Sequence, residues 1–301
     1  MRKIILSLLT ISLLAFGCKK SDSTPSPSPS APIAPVVNSD AGIKNHPSSG
    51  TISGYTFDSN KVVIPIAGEN LVYDYSGLAI KANITSTYGN AINSAYAGST
   101  SSYAEQLSFS SGTGPVSTLG TNFYLVNSSV SSYMGYSIAA LTTNYPSIGG
   151  TVSYPNQNVV YSPNINLAKF PMKYADTYNQ KISSKTVFTA NAPAAGINNA
   201  AGEYRDTNTI TFDHFAWGTL KLNGYSGSMQ VLVQKSVDTA KRNYFLNLGA
   251  GMAPAPASVL NALGLTDGSI VIATAYKFWV PGKGVVMFVN SNGSGTVHTG
   301  L

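Results

Sequence analysis

The sequence predicts an all-β protein: an antiparallel, β-sandwich-like body with at most one or two short helices. Three observations carry this. Short runs rich in Val, Ile, Tyr, Phe and Thr recur from about residue 49, each bounded by Gly, Asn, Ser or Pro. Several alternate: in Asn208–Asp213 (NTITFD), Ile210 and Phe212 share one face while Thr209 and Thr211 share the other. Only 10% of the 301 residues are charged, against roughly 25% in an ordinary soluble domain. That composition argues against charged helical bundles and coiled coils.

The chain opens on an address. Arg2 and Lys3 precede an apolar run, Ile4 to Phe16, broken only by Ser7, Thr10 and Ser12. The run is shorter than the ~20 residues a spanning helix needs and suits a secretory signal. It ends in Leu14-Ala15-Phe16-Gly17-Cys18, where Cys18 is the one cysteine in the chain. This resembles a relaxed bacterial lipobox of the Bacteroidetes type. The expectation is a signal peptide over 1–17 and a membrane anchor through lipid on Cys18, at the bacterial outer membrane, with the face undetermined. Cleavage removes Arg2 and Lys3 and so takes two of the six net positive charges. The remainder is not clustered, as a nucleic-acid footprint would be, so no nucleic-acid partner is expected. A single cysteine leaves no intramolecular disulfide and no multi-cysteine metal cluster.

Residues 18–48 are dominated by Ser and Pro and lack periodicity. They read as a lipidated, extended tether. The body divides near residue 170 into an N-terminal β region (49–168) and a C-terminal sandwich-like region (169–301), which could share a core. Strand candidates in order are Lys61–Ile66 (KVVIPI), Asn122–Asn127, Lys185–Ala190, Asn208–Asp213, Met229–Lys235 and Asn243–Leu248. Ser269–Val280 and Gly284–Asn290 complete the set. One segment, Pro256–Leu263, reads as helix.

Motifs in the C-terminal half carry a family resemblance. Phe170-Pro171-Met172-Lys173-Tyr174 is followed by Phe215-Ala216-Trp217-Gly218-Thr219-Leu220-Lys221-Leu222. The series closes on Tyr276-Lys277-Phe278-Trp279-Val280-Pro281-Gly282. With Glu69–Leu78 near the start, they resemble a family of secreted and surface lipoproteins of Bacteroidetes. That family shows an FP…Y entry, a GYGTL-like strand pair and a W-x-x-P-G-like hairpin. Tyr73 stands where that family has Trp, Trp217 where it has Tyr, and Asn223 where it has Pro. The resemblance implies β architecture and export, and supplies no catalytic residue to carry over. Read physically, Gly218 marks a close backbone approach, and Asn223-Gly224 and Pro281-Gly282 are turns.

Chemistry is sparse in the sequence. Of three histidines, His46 falls in the tether and His298 in the tail, leaving His214 in the body. A zinc site wants three or four clustered ligands, so no metal is expected. Asp213 beside His214 could orient an imidazole, and Ser226 in Gly224-Tyr225-Ser226-Gly227-Ser228 superficially suggests a nucleophile elbow. Its glycines are misplaced for that motif, and the preferred reading makes both ordinary strand-end and loop residues. Glu203, Asp206 and Asp213, with Arg205 among them, form the one local acidic group. No phosphate loop or dinucleotide fingerprint is present, so no cofactor is expected.

Eighteen tyrosines remain. Many, such as Tyr55, Tyr88, Tyr96, Tyr103, Tyr133 and Tyr136, sit in turn-like stretches expected to be exposed, where Tyr suits sugar stacking or protein contacts. Asp22-Ser23-Thr24 and Asp238-Thr239-Ala240 resemble a short O-glycosylation sequon, making Ser23 in the tether and Thr239 in an expected loop candidate sugar acceptors. The functional expectation is a membrane-anchored, non-enzymatic β-rich lipoprotein with a binding or structural role and a glycan or surface-protein partner. The alternative is a polysaccharide-acting hydrolase or glycan-binding accessory lipoprotein.

Overall fold

The computed structural model describes residues 32–58, 62–90, 92–109, 114–146, 149–263 and 265–301. The signal segment, Cys18 and Ser23 lie outside the described residues. In chain order the elements are α1 (Ser39–Asn45), β1 (Gly50–Phe57), β2 (Gly68–Tyr75), β3 (Ile80–Gly89), β4 (Ser101–Phe109), β5 (Val116–Val126) and β6 (Val130–Ile138). Next come β7 (Leu141–Tyr145), β8 (Gly150–Tyr154), β9 (Gln157–Lys169), β10 (Thr177–Ala192), β11 (Ile197–Leu222) and β12 (Ser228–Asn247). β13 (Met252–Pro254), α2 (Ala257–Ala262), β14 (Ser269–Val280), β15 (Gly284–Asn290) and β16 (Gly295–His298) complete the chain.

The all-β prediction holds, but the sandwich does not. One continuous sheet runs β11-β12-β14-β15-β16-β1-β3-β4-β5-β6-β9-β10 and returns to β11, closing a barrel of 12 antiparallel strands. The closing ladder is long: Thr177 pairs with Asp213 and Ala190 with Ala200. The strands on either side of residue 168 are therefore two arcs of one wall, and residues 34–301 form one compact unit. Closure removes the two outer edges that an open sheet would have to protect.

Inside and outside follow from side-chain alternation. On β11 and β12, Tyr204, Asp206, Asn208, Ile210 and Phe212 lie opposite Tyr244, Arg242, Ala240, Asp238 and Ser236, all on the lumen face. The outer face of β10–β12 presents Lys181, Lys185, Arg205, Thr209, Thr211 and Lys241 to solvent. A transmembrane barrel needs an apolar outer belt; this stretch of wall is built for water. Among the described residues no helix is long and apolar enough to cross a membrane.

Several elements differ from the sequence reading. The NTITFD and FAWGTLKL runs are one strand, β11, kinked by a register shift between Asp213 and Ala216. Val62–Ile66 is not a strand: Pro65 interrupts it, and Val63 and Ile66 are exposed beside β2. β2 lies parallel to the end of β11, where Leu71 pairs with Gly218. A side chain on Gly218 would strike the Leu71 carbonyl, so the close approach expected there is real. Tyr73 and Tyr75 of β2 bury themselves against Phe278, Val231 and Val233 on the outer face of the wall.

The Ser/Pro-rich stretch assigned to the tether also enters the body. Val37 and Ala41 are completely buried, and Val37 bridges to Met172. Helix α1 touches β15 on one side and β5 and β6 on another. β15 and β6 stand six places apart in the ring of twelve, so α1 lies inside the barrel. Gly42 permits this, since an added Cβ would fall 2.5 Å from the Phe170 ring. Around α1 packs an internal core of Trp217, Leu232, Trp279 and Val285. At the opposite end the β7–β8 hairpin and α2 close over Phe188, Tyr204, Tyr244 and Leu246.

Candidate binding cleft

The wall is open along one seam. β3 and β4 pair only through Tyr88–Tyr103 and Gly89–Ser102, then part. β14 pairs with β15 only from Ala275 onward. Among the described residues, Ile80–Thr87, Ala104–Phe109 and Ser269–Thr274 thus each keep one edge without a ladder. Ile270, Val271 and Ile272 are exposed there, on both faces of β14. The seam leads into a cleft of about 320 Å³ lined by Leu107, Phe109, Tyr136, Tyr145, Tyr154, Tyr204, Arg242, Tyr244 and Leu265. A larger groove, about 590 Å³, lies on the outside between residues 63–66 and β2. It is lined by one local stretch of chain and its charged member, Asp74, is solvent-exposed, so it offers less to orient a ligand.

Of the tyrosines expected at the surface, Tyr88, Tyr103, Tyr133 and Tyr136 line this interior, while Tyr55 and Tyr96 pack on the outer face of the wall. Tyr88 and Tyr103 pack 5.4 Å apart where β3 and β4 part, Tyr124 and Tyr133 are 5.3 Å apart, and Tyr133 and Tyr161 are 5.3 Å apart. Tyr136 adjoins Tyr161 at 6.4 Å. Tyr55, Tyr88 and Tyr96 are buried outright. Tyr96 stacks on Phe123 outside the wall and donates to the Tyr136 carbonyl at 2.6 Å. The short Ser/Gly-rich context made these look like turns, whereas the pairing partners that bury them lie far along the chain.

Polar groups punctuate the aromatic lining. Arg242 donates from Nε and Nη2 to the two Asp206 oxygens at 2.7 and 2.8 Å, and its guanidinium lies 4.0 Å over the Tyr204 ring. Burial would discharge Arg242, but the Asp206 hydrogen bonds, together with the charges of Tyr204, Asp206 and Tyr244, outweigh it and hold the cation. The Asn208 amide donates to both Asp238 oxygens at 3.0 Å. Burial raises the Asp238 pKa, the Asp206 charge adds to that, and Asn208 opposes both. Across the lumen Tyr133 donates to Asn122 at 2.6 Å and Asn122 donates to Glu105 at 2.6 Å. Burial, with the Tyr161 charge behind it, pushes the Tyr136 hydroxyl up to about 12, so it stays a donor at any physiological pH.

The residues singled out from sequence fall into different places, and the acidic group separates. Glu203 faces out and takes Arg205 Nε at 2.6 Å and Lys185 at 3.7 Å, while Asp206 faces in. His214 is nearly inaccessible, and its ring is set by the Lys173 carbonyl at 3.1 Å and Gln234 at 3.3 Å rather than by Asp213. Burial lowers its pKa, against the opposing pull of that carbonyl, so it is a neutral structural imidazole. Ser226 sits exposed in the β11–β12 turn. Thr239 is not in a loop: it pairs with Thr209 and Ile272 in mid-β12, half-buried on the outer wall. Sequence reasoning missed Asp238, Arg242 and Glu105; alternation along β11 and β12 marks the first two as sharing a face, but not that the face is a lumen. Among the described residues no three His, Cys, Asp or Glu side chains gather as a metal site. Comparison of the chain with protein-family models, with curated proteins and with solved structures finds no match in any of the three.

Proposed function

We propose that the protein is a lipid-anchored, non-enzymatic saccharide-binding lipoprotein of the bacterial outer membrane, its ligand entering the barrel through the seam. The observation that carries this is the tyrosine-lined mouth between the end of β4 and the end of β12, with Arg242 and Asp206 at its centre. Flat aromatic faces beside fixed donors and acceptors suit a sugar ring, which has apolar faces and a hydroxyl rim. Tyr154 and Tyr136 are half-buried at the mouth, and Tyr154 also packs against Phe188 at 6.1 Å, so Tyr136 is the cleaner position for truncation. The expected result for Tyr154→Ala or Tyr136→Ala is about tenfold weaker binding, about 1.4 kcal/mol, by titration calorimetry with oligosaccharides selected on a glycan array. A wild-type chain that captures nothing on an array of bacterial and host glycans would overturn the reading.

A second reading, glycoside hydrolysis, is favoured by one observation: Asp206 and Asp238 both face the lumen, and the first raises the pKa of the second. Hydrolysis needs one such acid free to give its proton and the other free to act as base or nucleophile. Here Arg242 grips Asp206 and Asn208 spans both oxygens of Asp238, so binding is preferred. Asp238→Asn separates the two. Reducing ends released by the wild type and not by this variant would establish the hydrolase; binding with no release supports the lectin-like role.

Anchoring rests on the lipobox-like run. Intact-mass spectra of the membrane fraction are expected to carry a lipid adduct that Cys18→Ser abolishes, with hexose increments if Ser23 or Thr239 is glycosylated. Wild-type protein that stays wholly in the aqueous phase of a detergent partition would count against the anchor.

A further inference from the structure

At the narrow end of the seam, below the point where β3 and β4 part, three basic side chains converge on the lumen. Lys277 lies on the inner face of β14, opposite Gln234 of β12 and Phe288 of β15. His298 ends β16, and its Nδ1 donates to the Val285 carbonyl at 2.9 Å. His46, just after α1, stacks on Tyr124 at 4.0 Å and meets Tyr88 edge-on at 6.0 Å. His46 feels the charges of both Lys277 and His298.

Two of these groups lack partners among the described residues. The Asn45 amide donates to His46 Nε2 at 2.8 Å, which places the ring proton on Nδ1. That Nδ1–H is buried and meets no acceptor there. Lys277 is paired with no described carboxylate, whereas Asp206, Glu203 and Asp74 each hold a cation. Glu105, on β4, is turned to Asn122. A half-buried ammonium without a counter-charge and a buried orphan donor facing the same lumen are costly unless something accepts from them.

We infer that Lys277 and the Nδ1–H of His46 form an anion-binding floor to the lumen, and that the ligand is an acidic saccharide whose carboxylate docks there while its rings lie against the tyrosines. This rests on the saccharide reading above for the ligand and on the unpartnered donors alone for the anion. His298 contributes a neutral ring beside the site, its Nδ1–H already committed to Val285.

The test pairs two probes on the full chain. By calorimetry, oligosaccharides containing a uronic acid are expected to bind wild type at least tenfold tighter than their neutral counterparts. Lys277→Met should erase that preference, Lys277→Arg should keep it, and His46→Phe, which retains the stack on Tyr124, should weaken it about threefold. By thermal melting, sodium acetate at the ionic strength of a sodium chloride control should raise the melting temperature of wild type and not of Lys277→Met. An acetate effect without binding of any saccharide upholds the anion site and overturns the saccharide function. Neutral and acidic sugars bound equally, or a uronate preference that survives in Lys277→Met, overturns the anion site while the saccharide function stands.

Discussion

Truncating either aromatic residue near the end of β14 should cost the barrel 3–5 kcal/mol, an amount typical of a buried Phe→Ala or Trp→Ala change. Phe278 has 0% of its surface exposed, and Trp279 has 1%. Phe278 points outward from the barrel, where the Tyr73 and Tyr75 rings meet it edge-on at 5.2 and 5.8 Å. Trp279 points inward, meets Phe170 edge-on at 6.3 Å, and donates from Nε1 to Gln234 at 3.2 Å. Trp279→Ala therefore opens a cavity and also leaves the Gln234 oxygen without that donor, the latter supplying about 1–3 kcal/mol of the total. Trp279→Phe removes the donor but keeps most of the aromatic volume, so it should cost less than Trp279→Ala. Urea unfolding of the three variants measures this. A Trp279→Ala chain as stable as wild type would mean that the inner face of β14 is wet; a Phe278→Ala chain as stable as wild type would deny that β2 covers the outer face.

That strand also shows what the sequence could and could not disclose. Its limits, Ser269–Val280, and those of β15, Gly284–Asn290, are those read from β-branched runs and turn residues. The alternation placing Phe278 opposite Trp279 was equally legible. What the alternation does not disclose is the meaning of Lys277: a lysine ordinarily marks a wet face, yet the face it shares with Trp279 is the lumen, and Trp279 is among the largest fully buried side chains. Alternation specifies two faces and is silent on which is enclosed, and for the same reason it cannot separate a sandwich from a barrel. Closure depends on the Thr177–Ala190 ladder with β11, a pairing between runs that local pattern does not connect. The cleft was half legible. Tyrosine abundance pointed to aromatic contacts, but the Arg242–Asp206 and Asn208–Asp238 pairs form across neighbouring strands 36 and 30 residues apart in sequence. Composition misled at Val37 and Ala41, where a Pro-rich neighbourhood hid two residues that help fill the barrel.

Lys277→Met should stabilise the anion-free protein by about 3 kcal/mol at pH 7, and the gain should disappear in alkali. Burial holds the Lys277 ammonium down to about 8 from its ordinary 10.5. Below pH 8 both folded and unfolded chains carry the proton, and the folded chain bears the full cost of a charge withdrawn from water. At about 1.4 kcal/mol per tenfold change in proton affinity, the difference between 10.5 and 8 gives the figure above. Between pH 8 and 10.5 the unfolded chain binds more protons than the folded one, so wild-type stability rises with pH on this account. Methionine, which has no proton to lose, shows no such rise, and the two stability curves converge near pH 10.5. The neighbours leave the argument intact. His46, held near 3 by burial and by the Lys277 and His298 charges, and His298, lowered by burial, are neutral throughout this range. Glu105 is engaged by Asn122, and the lumen tyrosines are common to both proteins, so they cancel in the difference. Urea titrations of wild type and Lys277→Met at pH 7, 8, 9 and 10 measure it. A gain that stays constant with pH would show that methionine merely packs better. A loss at pH 7 would show that the ammonium already has a partner, and the lumen floor would then be complete without a ligand.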